Sequence, residues 1–192
     1  IAPASGVIGI EFTSGADNNT MTLTGNISTG GNLASGLSLD SSDSNTTTIT
    51  GNISTSGDYA YDLAIVSSDN NTTTFTGDIS TAGFNAFGLV LSDSDNNTTT
   101  LNGNISTSGR SAYALALDTS DNNTTTFTGD ISTSGSGAYG LGISNSDNNT
   151  TTINGNISTS GSGADGINLF LNSTGNSITN LGTIATSASG TY

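Results

Sequence analysis

The motif Gly-Asn/Asp-Ile-Ser-Thr begins at Gly25, Gly51, Gly77, Gly103, Gly129 and Gly155, each 26 residues after the last. A degenerate further copy, Leu181-Gly182-Thr183-Ile184-Ala185-Thr186, arrives one residue late. A fixed period of this length marks a solenoid, because one unit is too small to bury its own apolar face and must stack on its neighbours to do so. No stretch carries apolar residues at helical spacing. Leucine-rich and helical repeats are therefore excluded.

One unit shows how a coil is built. Along Thr98–Thr107 the residues alternate, so Thr99, Leu101, Gly103, Ile105 and Thr107 share an inner face, and Thr98, Thr100, Asn102, Asn104 and Ser106 an outer one. Period-two alternation in Thr-rich sequence predicts a half-buried strand. Gly103, with no side chain, suits a bend or a close backbone approach. Ser108-Gly109 marks a turn. A second alternating run, Tyr113-Ala114-Leu115-Ala116-Leu117, predicts Tyr113, Leu115 and Leu117 facing inward, and the segment from Asp118 to Asn123 closes the coil. Two or three short strands per unit make an all-β fold, a parallel β-helix with rungs ~4.8 Å apart and roughly seven coils. Right-handed winding is expected, as in the great majority of parallel crossovers.

Composition alone points elsewhere. Leu, Ile, Val and Phe supply only about a fifth of the residues, and the net charge is -14. Such a chain borders on the disordered class. Yet the apolar residues keep the same phase in every unit, as in Leu23, Ile49, Phe75, Leu101, Phe127 and Ile153. A disordered tract has no reason to preserve such a column. The chain thus reads as one elongated domain over 1–192, with an irregular first coil or cap over 1–16, regular repeats over 17–172, and a degenerate, incomplete last coil over 173–192.

Lys, His and Cys are absent and Arg110 is the only base. Thiolate and imidazole chemistry, Lys Schiff bases and Cys/His zinc sites are thereby removed. Nucleic acid and anionic lipid are poor partners, since phosphates call for Lys and Arg. No apolar run is long enough to span a bilayer, so no direct membrane insertion by this segment is expected.

In-register stacking turns each phase into a column. Asn26, Asn52, Asp78, Asn104, Asp130 and Asn156 form an outer one in which each Asp is flanked by Asn, which avoids like-charge neighbours. A second column, Asp17, Asp43, Asp69, Asp95, Asp121 and Asp147, is acidic throughout. One reading is an Asx-type turn, with the carboxylate accepting backbone N–H groups. The other is a row of calcium sites shared between rungs, with Asp93, Asp118 or Asn side chains and turn carbonyls as further oxygen ligands. No cofactor is expected unless this column holds calcium. The following column, Asn19, Asn45, Asn71, Asn97, Asn123 and Asn149, reads as structural, its amides pairing along the rod.

Outward threonines form a grid that includes Thr48, Thr50, Thr74, Thr76, Thr100, Thr126, Thr128 and Thr152, interrupted by Asn102 and Asn154. This array of hydroxyls and methyls resembles the ice-binding face of β-solenoid antifreeze proteins. Thr on an exposed strand is also what β-propensity alone selects. No rung is chemically distinct, and an active site needs a break in the repeat, so no catalytic residue is expected. Arg110 occupies a turn where other coils place Asp58, Phe84 and Ser136.

The run Gly175-Asn176-Ser177-Ile178-Thr179-Asn180-Leu181-Gly182-Thr183-Ile184-Ala185-Thr186-Ser187 resembles the repeats of autotransporter passenger domains from Gram-negative bacteria. The internal units, with Ala138-Tyr139-Gly140-Leu141, look like variants of the same pattern. That resemblance implies a secreted right-handed β-helix displayed on the bacterial cell surface as an adhesin stalk, contacting a host or neighbouring cell. The termini add two expectations. Ile1–Ser5, with the only Pro, could blunt one end. Ser189–Tyr192 repeats Ser136–Tyr139, so the residues either belong to a longer array or stack end to end with other copies as a filament.

Overall fold

The computed structural model describes residues 6–187, and among them every regular element is a β-strand. The first coil holds β1 (Ile10–Thr13), β2 (Thr20–Thr24) and β3 (Ile27–Thr29), and the last holds β19 (Ile167–Phe170), β20 (Ser177–Asn180) and β21 (Ile184–Thr186). Strands equivalent to β1, β2 and β3 stack separately into three parallel seven-stranded sheets, here called A, B and C. Each coil therefore crosses A, B and C once, and the chain is a β-solenoid.

Interior registers follow the sequence period, pairing Leu89 with Leu115, Thr98 with Thr124 and Ile105 with Ile131. The turn after β1 (14–19) and the turn after β19 (171–176) each hold six residues, where the turn at 119–123 holds five. Those two turns carry the single-residue insertions, so the pairings shift from Ile10 to Leu37 and from Ile157 to Ile184. The expected cap at Ile1–Ser5 and the repeat of the Ser136–Tyr139 pattern at Ser189–Tyr192 lie outside the described residues.

The alternating run from Thr98 to Thr107 is not one strand. It divides into Thr98–Asn102 and Ile105–Thr107, in sheets B and C, with a corner at Gly103. Gly103 has φ 157°, and a Cβ there would overlap the carbonyl oxygen of Gly77 one coil below. Only a residue without a side chain lets the two backbones approach this closely.

Inward columns from all three sheets fill the interior. Sheet A contributes Leu63, Leu89, Leu115 and Leu141 beside Ile65, Leu91, Leu117 and Ile143, and sheet B contributes Ile49, Phe75, Leu101, Phe127 and Ile153. Sheet C supplies Ile53, Ile79, Ile105, Ile131 and Ile157. Two columns are threonine. Thr107 and its equivalents donate their hydroxyls to the alanine carbonyl five residues on, as from Thr107 to Ala112 at 2.7 Å. Thr47, Thr73, Thr99, Thr125 and Thr151 are equally buried, but their hydroxyls have no partner.

One sequence expectation fails at the corner leading into sheet A. Tyr113 was placed inward with Leu115 and Leu117, whereas Ala114 and Leu115 are consecutive buried residues and Tyr113 lies on the outside. Strict alternation holds only within a strand. At a corner the chain wraps the core, so two neighbours face inward and the parity before it inverts.

Candidate functional site

The turn from sheet A to sheet B holds the acidic column. The backbone N–H of Asp69, Asp95, Asp121 and Asp147 donates to Oδ1 of the Asp one coil earlier at 2.7–2.8 Å. Asp43 donates likewise to Asp17, and Asp147 Oδ1 receives the N–H and hydroxyl of Thr174. The carboxylates do accept backbone N–H groups, but between coils and not within their own turn. Each N–H offsets part of the repulsion between successive carboxylates. Among the described residues no three acidic side chains gather at one point.

Two neighbouring ladders run the other way. The N–H of Asn45, Asn71, Asn97 and Asn123 donates to Oδ1 of the Asn one coil later at 2.7–2.8 Å. These side chains are fully buried, and Nδ2 of Asn71, Asn97, Asn123 and Asn149 donates to a serine carbonyl of the coil before at 2.8–3.0 Å. Ser42, Ser68, Ser94 and Ser120 donate their N–H to the next serine hydroxyl at 2.9–3.1 Å. The outer Asn26 column uses the same device, with Asn104 Oδ1 receiving the Asp130 N–H and Asp130 Oδ1 the Asn156 N–H. An amide or a carboxylate oxygen serves equally as acceptor, which is why Asn and Asp interchange there.

On the outer face of sheet B the central column pairs Thr22, Thr48, Thr74, Thr100, Thr126, Thr152 and Thr179 in unbroken register. Thr46, Thr72, Thr98, Thr124 and Thr150 run beside it. Interruptions fall only in the third column, where Asn102 pairs with Thr76 beside Thr50 and Thr128.

Sheet A is the face that changes from coil to coil, and sequence reasoning missed what it carries. Tyr61, Phe87, Tyr113 and Tyr139 stack with ring centroids 5.3, 5.1 and 4.7 Å apart and planes within 23° of parallel. Phe170 closes the stack edge-on to Tyr139 at 6.4 Å. Ala64, Val90 and Ala116 are buried beneath the rings. A Cβ on Gly142 would come within 3.0 Å of the Tyr113 ring, so the smallest floor residue leaves room for that ring. Along the stack runs a groove of 430 Å³, walled opposite by Ser92, Asp118 and Ser144. Burial, with a smaller contribution from a neighbouring tyrosine, raises the phenol pKa of Tyr61 and of Tyr113. In the adjoining turn, exposed Tyr59 and Phe84 meet edge to face at 5.4 Å. The signal was present in the sequence as an aromatic column at constant phase, hidden by the parity inversion at Ala114.

Asp62 is the second residue missed. It occupies an inward column otherwise filled by Gly36, Gly88, Ala114 and Gly140, and its side chain is fully buried. Neither carboxylate oxygen has a hydrogen-bond partner. Burial therefore pushes its carboxyl well above the usual carboxylate range, and the nearby Thr55 hydroxyl and backbone only partly oppose this.

No known family model matches the chain. No curated protein and no solved structure matches it either.

Proposed function

We propose that the chain is a non-enzymatic structural or adhesive rod of the cell surface, stiff along its length and presenting repeated acidic and Thr-lined faces. One observation carries this reading. Three repeating polar columns of the A–B turn, the Ser, the Asp and the inner Asn, accept hydrogen bonds that clamp one coil to the next, as from Asp121 to Asp95, from Asn97 to Asn123 and from Ser94 to Ser120. Side chains so engaged stiffen a rod and are not free for chemistry. The autotransporter-like repeats favour an extracellular, bacterial setting, either as part of a longer passenger or as copies joined end to end. Displayed on a non-adherent bacterium, the chain should cause cells to aggregate or to be retained on an animal-cell monolayer under flow. Neither effect, with display verified, ends the adhesive reading.

A second reading is ice binding, favoured by the two unbroken threonine columns of sheet B. Ice recrystallisation should then be inhibited by the wild type and not by Thr74→Lys, Thr100→Lys or Thr126→Lys. Calcium held along Asp43, Asp69, Asp95, Asp121 and Asp147 is compatible with either reading. It would raise the melting temperature in millimolar calcium relative to EDTA, because a ligand that binds only the folded state stabilises it.

A further inference from the structure

Among the described residues the outward aromatic side chains are confined to one strip of the rod. Tyr61, Phe87, Tyr113 and Phe170 line the groove on sheet A, Tyr139 stacks on Tyr113, and Tyr59 and Phe84 extend the strip into the adjoining turn. Contiguous apolar surface on an otherwise polar protein marks a contact site. The groove's 430 Å³ lies toward the small end of the range for ligand pockets, room for a few side chains and not for a folded element.

Its chemistry narrows the occupant. The rings face one another at 4.7–5.3 Å, so their faces are covered and only edges line the groove. A sugar packing its C–H face on a ring, or a cation seated over one, finds no free face within the stack. Edges and the alanine and valine floor instead suit aliphatic groups. Across from them stands the exposed carboxylate of Asp118, which has no hydrogen bond or ion pair among the described residues. The column aspartates of the A–B turn, by contrast, each accept an N–H. With a net charge of -14 and Arg110 as its only base, the chain repels anions and attracts cations.

We infer that the sheet A groove binds a peptide segment of a partner protein that presents a Lys or Arg beside an aliphatic side chain. The basic head pairs with Asp118 while its methylene stem and the aliphatic neighbour lie along the ring edges of Tyr61, Phe87 and Tyr113. The inference rests on the adhesive reading, to which it adds the contact and the chemistry of its partner.

The probe is a capped Leu-Arg-Leu tripeptide, titrated into the intact chain while the tyrosine and phenylalanine ring resonances and the binding heat are followed. Expected are shifts of the Phe87 and Tyr113 rings, affinity that falls with added salt, and about two- to fivefold weaker binding to Asp118→Asn. Ser92→Arg, which places a tethered guanidinium in the groove, should abolish binding without lowering the melting temperature. Equal binding of the citrulline peptide, no response to Asp118→Asn, or no ring shifts would overturn the inference. Equal binding of butylguanidine would also overturn it, by assigning the groove to a free small cation. Cell adhesion retained without peptide binding removes the groove alone, whereas peptide binding without adhesion removes the adhesive reading.

Discussion

Two turns reverse the chain in every coil, and they are built on opposite plans. The A–B turn repeats Ser, Asp and Asn at fixed places, and each feeds a hydrogen-bond ladder along the rod. The C–A turn keeps a glycine, Gly57, Gly83, Gly109, Gly135 or Gly161, followed by Asp58, Phe84, Arg110, Ser136 or Ser162. Beside it lie the exposed aromatics, the ring stack and the buried Asp62. Where side chains clamp coil to coil, substitution removes a clamp. Where glycine lets the backbones meet directly, the side chains are free to differ, although Asn32 and Asp58 still accept the N–H of the next coil. Variation along a repeat thus locates the surface available for recognition, and repetition locates the scaffold.

The sharpest way to break this contrast lies inside the variable turn. A Cβ at Gly109 would overlap the Gly83 carbonyl oxygen below, and that atom is backbone and cannot swing aside. Gly109→Ala should cost about 4 kcal/mol or more, while Arg110→Ser, one residue on, should stay within about 0.5 kcal/mol. Thermal unfolding followed by circular dichroism separates the two. Comparable losses for both would show that the turn does not tolerate variation. In the repetitive turn, Asn97→Ala strands the Asn71 N–H and the Ser68 carbonyl, both bonded to this buried side chain. With about 1–3 kcal/mol for each buried group left unpaired, a loss of about 3 kcal/mol is expected.

Asp62 is the place where variation has reached the core. Its coil-mates are glycine and alanine, so Asp62→Ala reproduces the environment of Ala114 and removes a carboxylate without partners. A gain of about 2 kcal/mol at neutral pH is expected. The pH dependence gives the sign. Because burial raises the folded-state pKa above the unfolded one, the folded state binds more protons across that interval. Wild-type stability relative to the variant therefore falls as pH rises from about 4 toward the raised value. Melting temperatures of the two proteins should converge near pH 4 and separate toward neutrality. A constant gap would mean that the Asp62 carboxyl has the same pKa in the folded and unfolded states.

Much of the scaffold was legible because stacking makes every contact a repeat. The period placed the core residues Leu101, Ile105, Leu115 and Leu117 and the glycine of the B–C corner at Gly103. The aspartate column could be read as a ladder of N–H acceptors, but its direction could not. Whether an oxygen caps its own turn or the next coil depends on side-chain rotamers, which spacing does not encode. Parity failed at Ala114, where two consecutive residues face inward, and alternation therefore puts Tyr113 on the wrong side and hides the aromatic stack to which it belongs. Asp62 escaped notice because one aspartate among many is conspicuous only once its column is known to point inward.

The two buried threonine columns sharpen the same lesson at the smallest scale. Thr99 and Thr107 belong to one coil, both are about 1% exposed or less, and both have the shape of valine. Thr107 donates to the Ala112 carbonyl at 2.7 Å and so ties the C–A turn to its strand, whereas the Thr99 hydroxyl has no acceptor. Replacing a partnered hydroxyl with a methyl leaves a buried carbonyl without its donor. Replacing an orphaned one removes a desolvation cost and leaves the packing as it was. Thr107→Val should therefore lose about 1 kcal/mol and Thr99→Val gain about 1 kcal/mol, although no alternation rule tells the two apart. Urea denaturation of both variants at a common m-value reads the difference. Shifts of the same sign would mean that the Thr99 column is satisfied after all and clamps coils as the asparagine ladder does.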